Sequence, residues 1–297
     1  MNITRTERPK IALFAYSEVG YVCFEELLRA GANVVAVFTH EDDPNEEIWF
    51  RSVQALAAEQ GIPARTDAKL GADAADYLRE LGVELIFSFY YRAMIPSEAL
   101  RVPRLGSYNM HGALLPKYRG RACVNWAVLN GETETGATLH VMTELADKGD
   151  IVDQERAAID FEDTAHDVFL KVAEASRVIM ARSLPDIEAG RAKRTPQDEA
   201  QATKFGRRWP EDGIIDWKKP AVQIYNQVRA LTHPFPGAFT HINGKKCFIW
   251  RARTHDGDCD ISGAVLSDDP FLIAASDGIV EVLSWQFEGE AERGCLD

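Results

Sequence analysis

Short apolar runs alternate with amphipathic stretches through the first half of the chain. "KIALFAY" (Lys10–Tyr16) reads as a buried strand ended by "SEVG", and "YVCFEELLRAGA" as a helix closing near Gly31. "VVAVFTH" (Val34–His40) is the next strand, valine-rich as buried parallel strands tend to be. "SVQALAAEQG" carries apolar residues at helical spacing and stops at Gly61. A further helix in "AADYLRELG" leads to a strand in "ELIFSFYY" (Glu84–Tyr91). Then come a strand in "GSYNMHG", a helix in "GRACVNWAVLNGE" and a strand in "TGATLHVM". This β-α-β-α rhythm predicts an α/β, Rossmann-like domain with a mostly parallel sheet covered by helices on both faces.

Thr164 opens a long helix that ends near Gly190. The following "RAKRTPQDEAQATKFGRRWPEDG" has charge, Pro and Gly but little apolar periodicity, and reads as a link. Beyond it the pattern gives one helix, "AVQIYNQVRALTH", and then short strands, with an Asn243-Gly244 hairpin signal between alternating segments. The predicted organisation is therefore a Rossmann-like domain over 1–195 and a smaller C-terminal β-rich, OB-like barrel over 205–297.

Composition narrows the class without changing this outline. No run approaches the roughly 18 apolar residues that span a bilayer, and the polar opening "MNITRTERPK" is unlike a signal peptide. Five cysteines (Cys23, Cys123, Cys247, Cys259, Cys295) are scattered without a C-x-x-C pair. That set argues against a disulfide framework and a zinc site, and fits the cytoplasm. The formal net charge of −13 counts against a nucleic-acid partner, because phosphate contacts need a basic face.

Several common chemistries lack their motifs. The turn after the first strand has Gly20 but no G-x-G-x-x-G; there is no G-x-x-x-x-G-K-[ST] loop, no G-x-S-x-G elbow and no H-E-x-x-H. What remains is Asn109-Met110-His111, where an amide and an imidazole two residues apart share one side of a strand. At a strand end they suit attack on a carbonyl: the imidazole moves a proton near neutral pH and the amide donates to a developing oxyanion. A carboxylate should orient the ring. Asp147, on the loop after "ATLHVM", and Asp150 both qualify, and the spacing does not choose between them. His40 and His140, in or ending strands, read as structural, and His166, His233, His241 and His255 have no partner motif.

"NMHGALLPKYRGRACVNWAVLNGETETGATLHVM", followed by "ADKGDIV", resembles the folate-dependent formyltransferases, which move a formyl group from 10-formyltetrahydrofolate to an amine. The likeness runs from Lys10 to the "IIDW" of the second domain. It implies that Asn109, His111 and Asp147 are catalytic, and that no metal is needed. It implies folate contacts at Ala93, Met94, Ile95 and Arg121, and on the loop Thr143, Glu144, Leu145 and Ala146. It places a nucleotide-linked sugar at Gly20, Arg207 and Arg208. An arginine fork suits a pair of phosphates.

Within the family, "IFSFYYR", "HGALLPKYRGR" and "KFGRRWPEDG" resemble the bacterial branch that formylates UDP-4-amino-4-deoxy-L-arabinose for lipopolysaccharide modification. That branch is usually fused to a decarboxylase, so the chain reads as a free-standing transferase or as one part of a longer protein. The resemblance implies small-molecule substrates, no nucleic-acid and no membrane partner, and leaves a homo-oligomer open. Rival readings are a GDP- or dTDP-aminosugar acceptor, methionyl-tRNA, hydrolysis of formyltetrahydrofolate, and an inactive binding module. Methionyl-tRNA fits poorly with the acidic "HEDDPNEEIW" (His40–Trp49).

Overall fold

The computed structural model describes residues 7–44, 46–66, 73–257 and 261–294. Cys259 and Cys295 lie outside the described residues, whereas Cys23, Cys123 and Cys247 are buried and outside any disulfide. The chain divides into two compact units: 1–120, 135–157 and 170–204 in the first, and 121–134, 158–169 and 205–297 in the second.

Strands β1 (Lys10–Ala15), β2 (Asn33–Phe38), β3 (Ala64–Arg65), β4 (Leu85–Phe89) and β5 (Ser107–His111) alternate with helices α1 (Ser17–Arg29), α2 (Val53–Glu59), α3 (Asp73–Leu81) and α4 (Ser97–Leu100). The two-residue β6 (Arg119–Gly120) and the helix α5 (Cys123–Leu129) precede the long strands β7 (Glu134–Val141) and β8 (Ile151–Ala158). Helix α6 (Ala165–Glu188) follows, and then β9 (Lys204–Phe205).

The first unit is built on a seven-stranded sheet of order β3-β2-β1-β4-β5-β7-β8. From β3 to β5 each pair is parallel, as the run of buried apolar residues in β1 and β4 requires. Phe14 and Phe38 stack at 4.3 Å in a cluster with Ile86, Leu78 and Ile95. Elsewhere local signals close the helices. Ser52 caps α2 by accepting from the Ala55 N–H at 3.2 Å. At α6, Thr164 and Asp167 bond reciprocally: the Thr164 N–H donates to the Asp167 carboxylate and the Asp167 N–H donates back to Oγ1.

Two features differ from the local pattern. β7 runs antiparallel to β5, with Asn109 opposite His140 and His111 opposite Thr138. β8, to which the sequence reading assigns no element, lies at the end of the strand order. Its residues are mostly half-exposed, so no apolar run announces it.

The second unit holds α5 and α7 (Ala221–Leu231), with β10 (Ala238–Ile242), β11 (Lys245–His255), β12 (Val265–Asp268), β13 (Phe271–Ala274), β14 (Ile279–Phe287) and β15 (Arg293–Gly294). Its antiparallel sheet is a half-barrel of order β10-β11-β14-β13-β12, with β15 added on β14. The expected hairpin at Asn243-Gly244 joins β10 to β11, both turn residues having positive φ as a type I′ turn requires.

Candidate active site

The site lies on one face of the first sheet. In an extended strand alternate residues share a side, and residues directly opposite on a paired strand share it too. Asn109 and His111 of β5 and Thr138 and His140 of β7 therefore form one patch. His111, the last residue of β5, is only 6% exposed.

The segment "PKYRG" after β5 controls the imidazole. Tyr118 has φ of 57°, which turns its carbonyl back onto His111, where it accepts from Nε2–H at 2.8 Å. A carbonyl only accepts, so Nε2 keeps its proton in both charge states and the exchangeable proton lives on Nδ1. The Asp147 Oδ1 lies 3.6 Å from that nitrogen. The group that fixes the tautomer is thus a backbone carbonyl. Asp147, expected from the sequence to hold it, faces the other nitrogen.

Asp147 reaches this position by an indirect path. Because β7 is antiparallel, it ends beside the start of β5, where the Met142 N–H donates to the Ser107 carbonyl at 2.8 Å. The residues Met142–Asp147 carry the chain back over the sheet to His111, and Asp147 itself takes the left-handed conformation at φ of 58°. Its Oδ2 accepts from the Gly120 N–H at 2.9 Å. Two residues later Gly149 passes so close to β7 that a Cβ there would sit 1.8 Å from the Val141 carbonyl oxygen. Only glycine closes this turn, which gives the D-x-G spacing its physical reason. Asp150 instead returns to the strand, its carbonyl accepting from the Val141 N–H at 2.9 Å.

His140 belongs to the same patch, although the sequence alone marks it only as a strand histidine. Its Nδ1–H donates to the Val141 carbonyl at 2.9 Å, which leaves Nε2 as an acceptor 3.1 Å from the Asn109 Nδ2. That contact assigns the amide: nitrogen toward His140, with a second N–H still to donate. Burial, and then the neighbouring His111, push the His140 pKa down to about 4, so the ring is neutral at ordinary pH. The Asp147 Oδ1 is 3.7 Å from its Nε2. No residue-type motif reveals His140; only the β5–β7 register does.

The remaining predicted positions fall into groups. Ala93 is half-buried, Met94 is 69% exposed, and Ile95 joins the core. Thr143, Glu144, Leu145 and Ala146 are exposed, and the Thr143 hydroxyl donates to the Leu145 carbonyl at 2.8 Å. Arg101 ties the second of these loops to the first turn of α4, with Nη2 donating to both Glu144 and Ser97 Oγ at 2.9 Å. Gly20 is buried in the first turns of α1, where a Cβ would press on Ala15 at 3.2 Å and on the Phe89 carbonyl at 3.3 Å. Arg121, Arg207 and Arg208 belong to the second unit. Arg121 is exposed, and its N–H donates to the Phe205 carbonyl. The Arg207 guanidinium lies 4.1 Å over Trp209 and that of Arg208 4.7 Å over Trp126. The Arg208 Nε is buried with no hydrogen-bond partner among the described residues. Among those residues no three His, Cys, Asp or Glu side chains gather to hold a metal ion.

Comparison with known proteins places the chain in a family. The family profile described as formyl transferase matches residues 21–184, and that of the formyl transferase C-terminal domain matches residues 209–294. Among solved structures, the N-formyltransferase of Helicobacter canadensis, in complex with folinic acid and dTDP-3-aminofucose, is 22% identical with a TM-score of 0.74, covering 92% of this chain and 99% of its own. A 4-N formyltransferase from Francisella tularensis is 21% identical with a TM-score of 0.62, over 76% of this chain and 89% of its own. HypX from Aquifex aeolicus, in complex with tetrahydrofolic acid, is 20% identical with a TM-score of 0.65, over 96% of this chain but 45% of its own. At such identities the neighbours speak for the fold. The first profile alone takes in more than half of the residues, and on that ground the chain belongs to the formyl transferase family.

Proposed function

We propose that this protein transfers a formyl group from 10-formyltetrahydrofolate to the amino group of a nucleotide-linked aminosugar. The observation that carries this reading is the His111 Nδ1 facing the Asp147 carboxylate at 3.6 Å, beside the Asn109 amide, in a member of this family. The neutral sugar amine attacks the formyl carbon and forms a C–N bond. His111 takes the amine proton at Nδ1, where Asp147 stabilises the imidazolium. The free N–H of Asn109 donates to the oxyanion. Collapse breaks the bond to the folate nitrogen, to which His111 returns the proton. The products are tetrahydrofolate and the N-formyl sugar.

Met94 and Leu145, both exposed apolar side chains, suit the flat faces of the folate; the family resemblance adds Ala93, Ile95, Thr143, Glu144, Ala146 and Arg121 to its contacts. Arg208, whose Nε–H has a hydrogen bond still to make, suits the diphosphate together with Arg207, and Gly20 lets α1 approach β1 closely near the nucleotide. The sugar-nucleotide class is supported by relatives crystallised with dTDP-3-aminofucose or described as sugar N-formyltransferases. Within it, the motif resemblance favours UDP-4-amino-4-deoxy-L-arabinose. The scattered cysteines favour the cytoplasm as the place of this activity.

The test offers 10-formyltetrahydrofolate with UDP-, dTDP- and GDP-linked 3- and 4-amino sugars and reads the product by mass spectrometry. An N-formyl sugar is expected, from the UDP-4-amino-pentose first. Folate turnover unaffected by every aminosugar would make the protein a hydrolase instead.

A further inference from the structure

We infer that Gln197 is a positioning residue, which holds Asp147 in the orientation that faces His111. Gln197 lies in the "RTPQDE" stretch, fifty positions from Asp147, in a segment whose sequence shows no motif of its own. Its side-chain Nε2 donates to the Asp147 carbonyl at 2.9 Å and to the Gly149 carbonyl at 2.7 Å. Both hydrogens of the amide are thus spent on the two carbonyls that flank Lys148. The Oε1 accepts from the Arg119 Nε and Nη2 at 3.1 and 2.7 Å. A guanidinium only donates and a carbonyl only accepts, so the amide has one orientation here and cannot flip.

Arg119 is itself fixed. It is 5% exposed, and its two Nη atoms donate to the Glu199 carboxylate at 2.9 and 2.7 Å. Hydrogen bonding to Arg119 holds the Glu199 pKa down to about 2, so this anchor stays ionised across the working range. The residue after Arg119 is Gly120, whose N–H grips the Asp147 Oδ2. Asp147 is therefore held at both ends. Gln197 holds its backbone carbonyl and Gly120 its carboxylate, and both are tied to Arg119. A non-glycine residue stays at positive φ when its neighbours over-determine it, and here the neighbours are these. The competing explanation is that Gln197 only fastens its own segment to the rest of the first unit.

The test uses the full chain with Gln197→Met, which removes the donors, and Gln197→Glu, which keeps a partner for Arg119 but sets a carboxylate against two carbonyls. The kinetic arm rests on the formyl-transfer reading; a second arm does not. In both variants kcat is expected to fall about 10- to 100-fold, since small misplacements of a catalytic group have that size of effect. KM for either substrate should stay within about threefold. Independently, the Gly120 amide, followed by ¹H–¹⁵N NMR and hydrogen exchange, should shift and lose protection as the Asp147 carboxylate comes loose. A kcat within about threefold of wild type overturns the inference. So does a fall in kcat with the Gly120 amide unchanged, because the loss is then one of general stability. Should the wild type transfer no formyl group, the reading of its function fails, and the Gly120 amide alone decides whether Gln197 holds Asp147.

Discussion

His111 has two nitrogens with separate tasks, one anchored on Tyr118 and one facing Asp147. Replacing it with alanine removes the proposed proton carrier and leaves binding surfaces intact. Initial rates of His111→Ala should show kcat lower by about 10²- to 10⁴-fold with KM little changed. Asn109→Ala removes the proposed oxyanion donor and should cost about 10²- to 10³-fold in kcat. His140 gives a pH test. Its folded pKa of about 4 lies below the ordinary histidine value, so in acid the unfolded chain binds the proton first. The stability from its neutral ring is complete above about pH 6.5 and is lost as pH falls toward 4. Thermal melts of His140→Gln should show a shallower fall over that window than wild type. The pair Asn109 and His111 was legible in the sequence because i and i+2 share a side of any strand. The choice of Asp147 over Asp150 came from the family pattern. His140 was not legible, since facing across two strands is a property of register. The Tyr118 carbonyl and the Gly120 N–H are backbone groups, which residue types do not announce.

The strands and helices followed the hydrophobic pattern wherever most residues are buried, as in β1, β2 and β4. The pattern said nothing of strand direction at β7, because a buried strand looks alike in either sense. It missed β8, whose "IVDQERAA" is half-exposed and polar along much of its length. Direction matters to the chemistry. With β7 antiparallel, Asn109 and His140 meet as a register pair, and a slip of one residue would turn His140 to the other face of the sheet. The turn back from β7 tolerates nothing larger than glycine at 149. Gly149→Ala meets the Val141 carbonyl and is expected to lower stability by more than about 2 kcal/mol, as backbone clashes do. A calorimetric melt beside a rate measurement should show Tm and kcat falling together, unlike the expectation for His111→Ala.

At the scale of the molecule, the net charge of −13 and the acidic residues Glu41, Asp42, Asp43, Glu46 and Glu47 set which partners approach. A phosphate backbone meets repulsion there, whereas a small anionic substrate needs only its local arginines. Gel shifts with initiator tRNA are therefore expected to show no complex at about 0.15 M salt. Binding that weakens steeply with added salt would reverse the choice of acceptor. The half-barrel of the second unit was legible from its hairpin signal and short alternating strands, and the composition of each unit was not, since stretches distant in the chain are grouped together. One feature couples all these scales. Tyr118 holds the His111 ring, and Gly120 holds the Asp147 carboxylate, with the buried Arg119 between them. Any displacement of those three consecutive residues moves imidazole and carboxylate at once, so neither can drift or be retuned without the other, and the proposed chemistry inherits the rigidity of a single tripeptide.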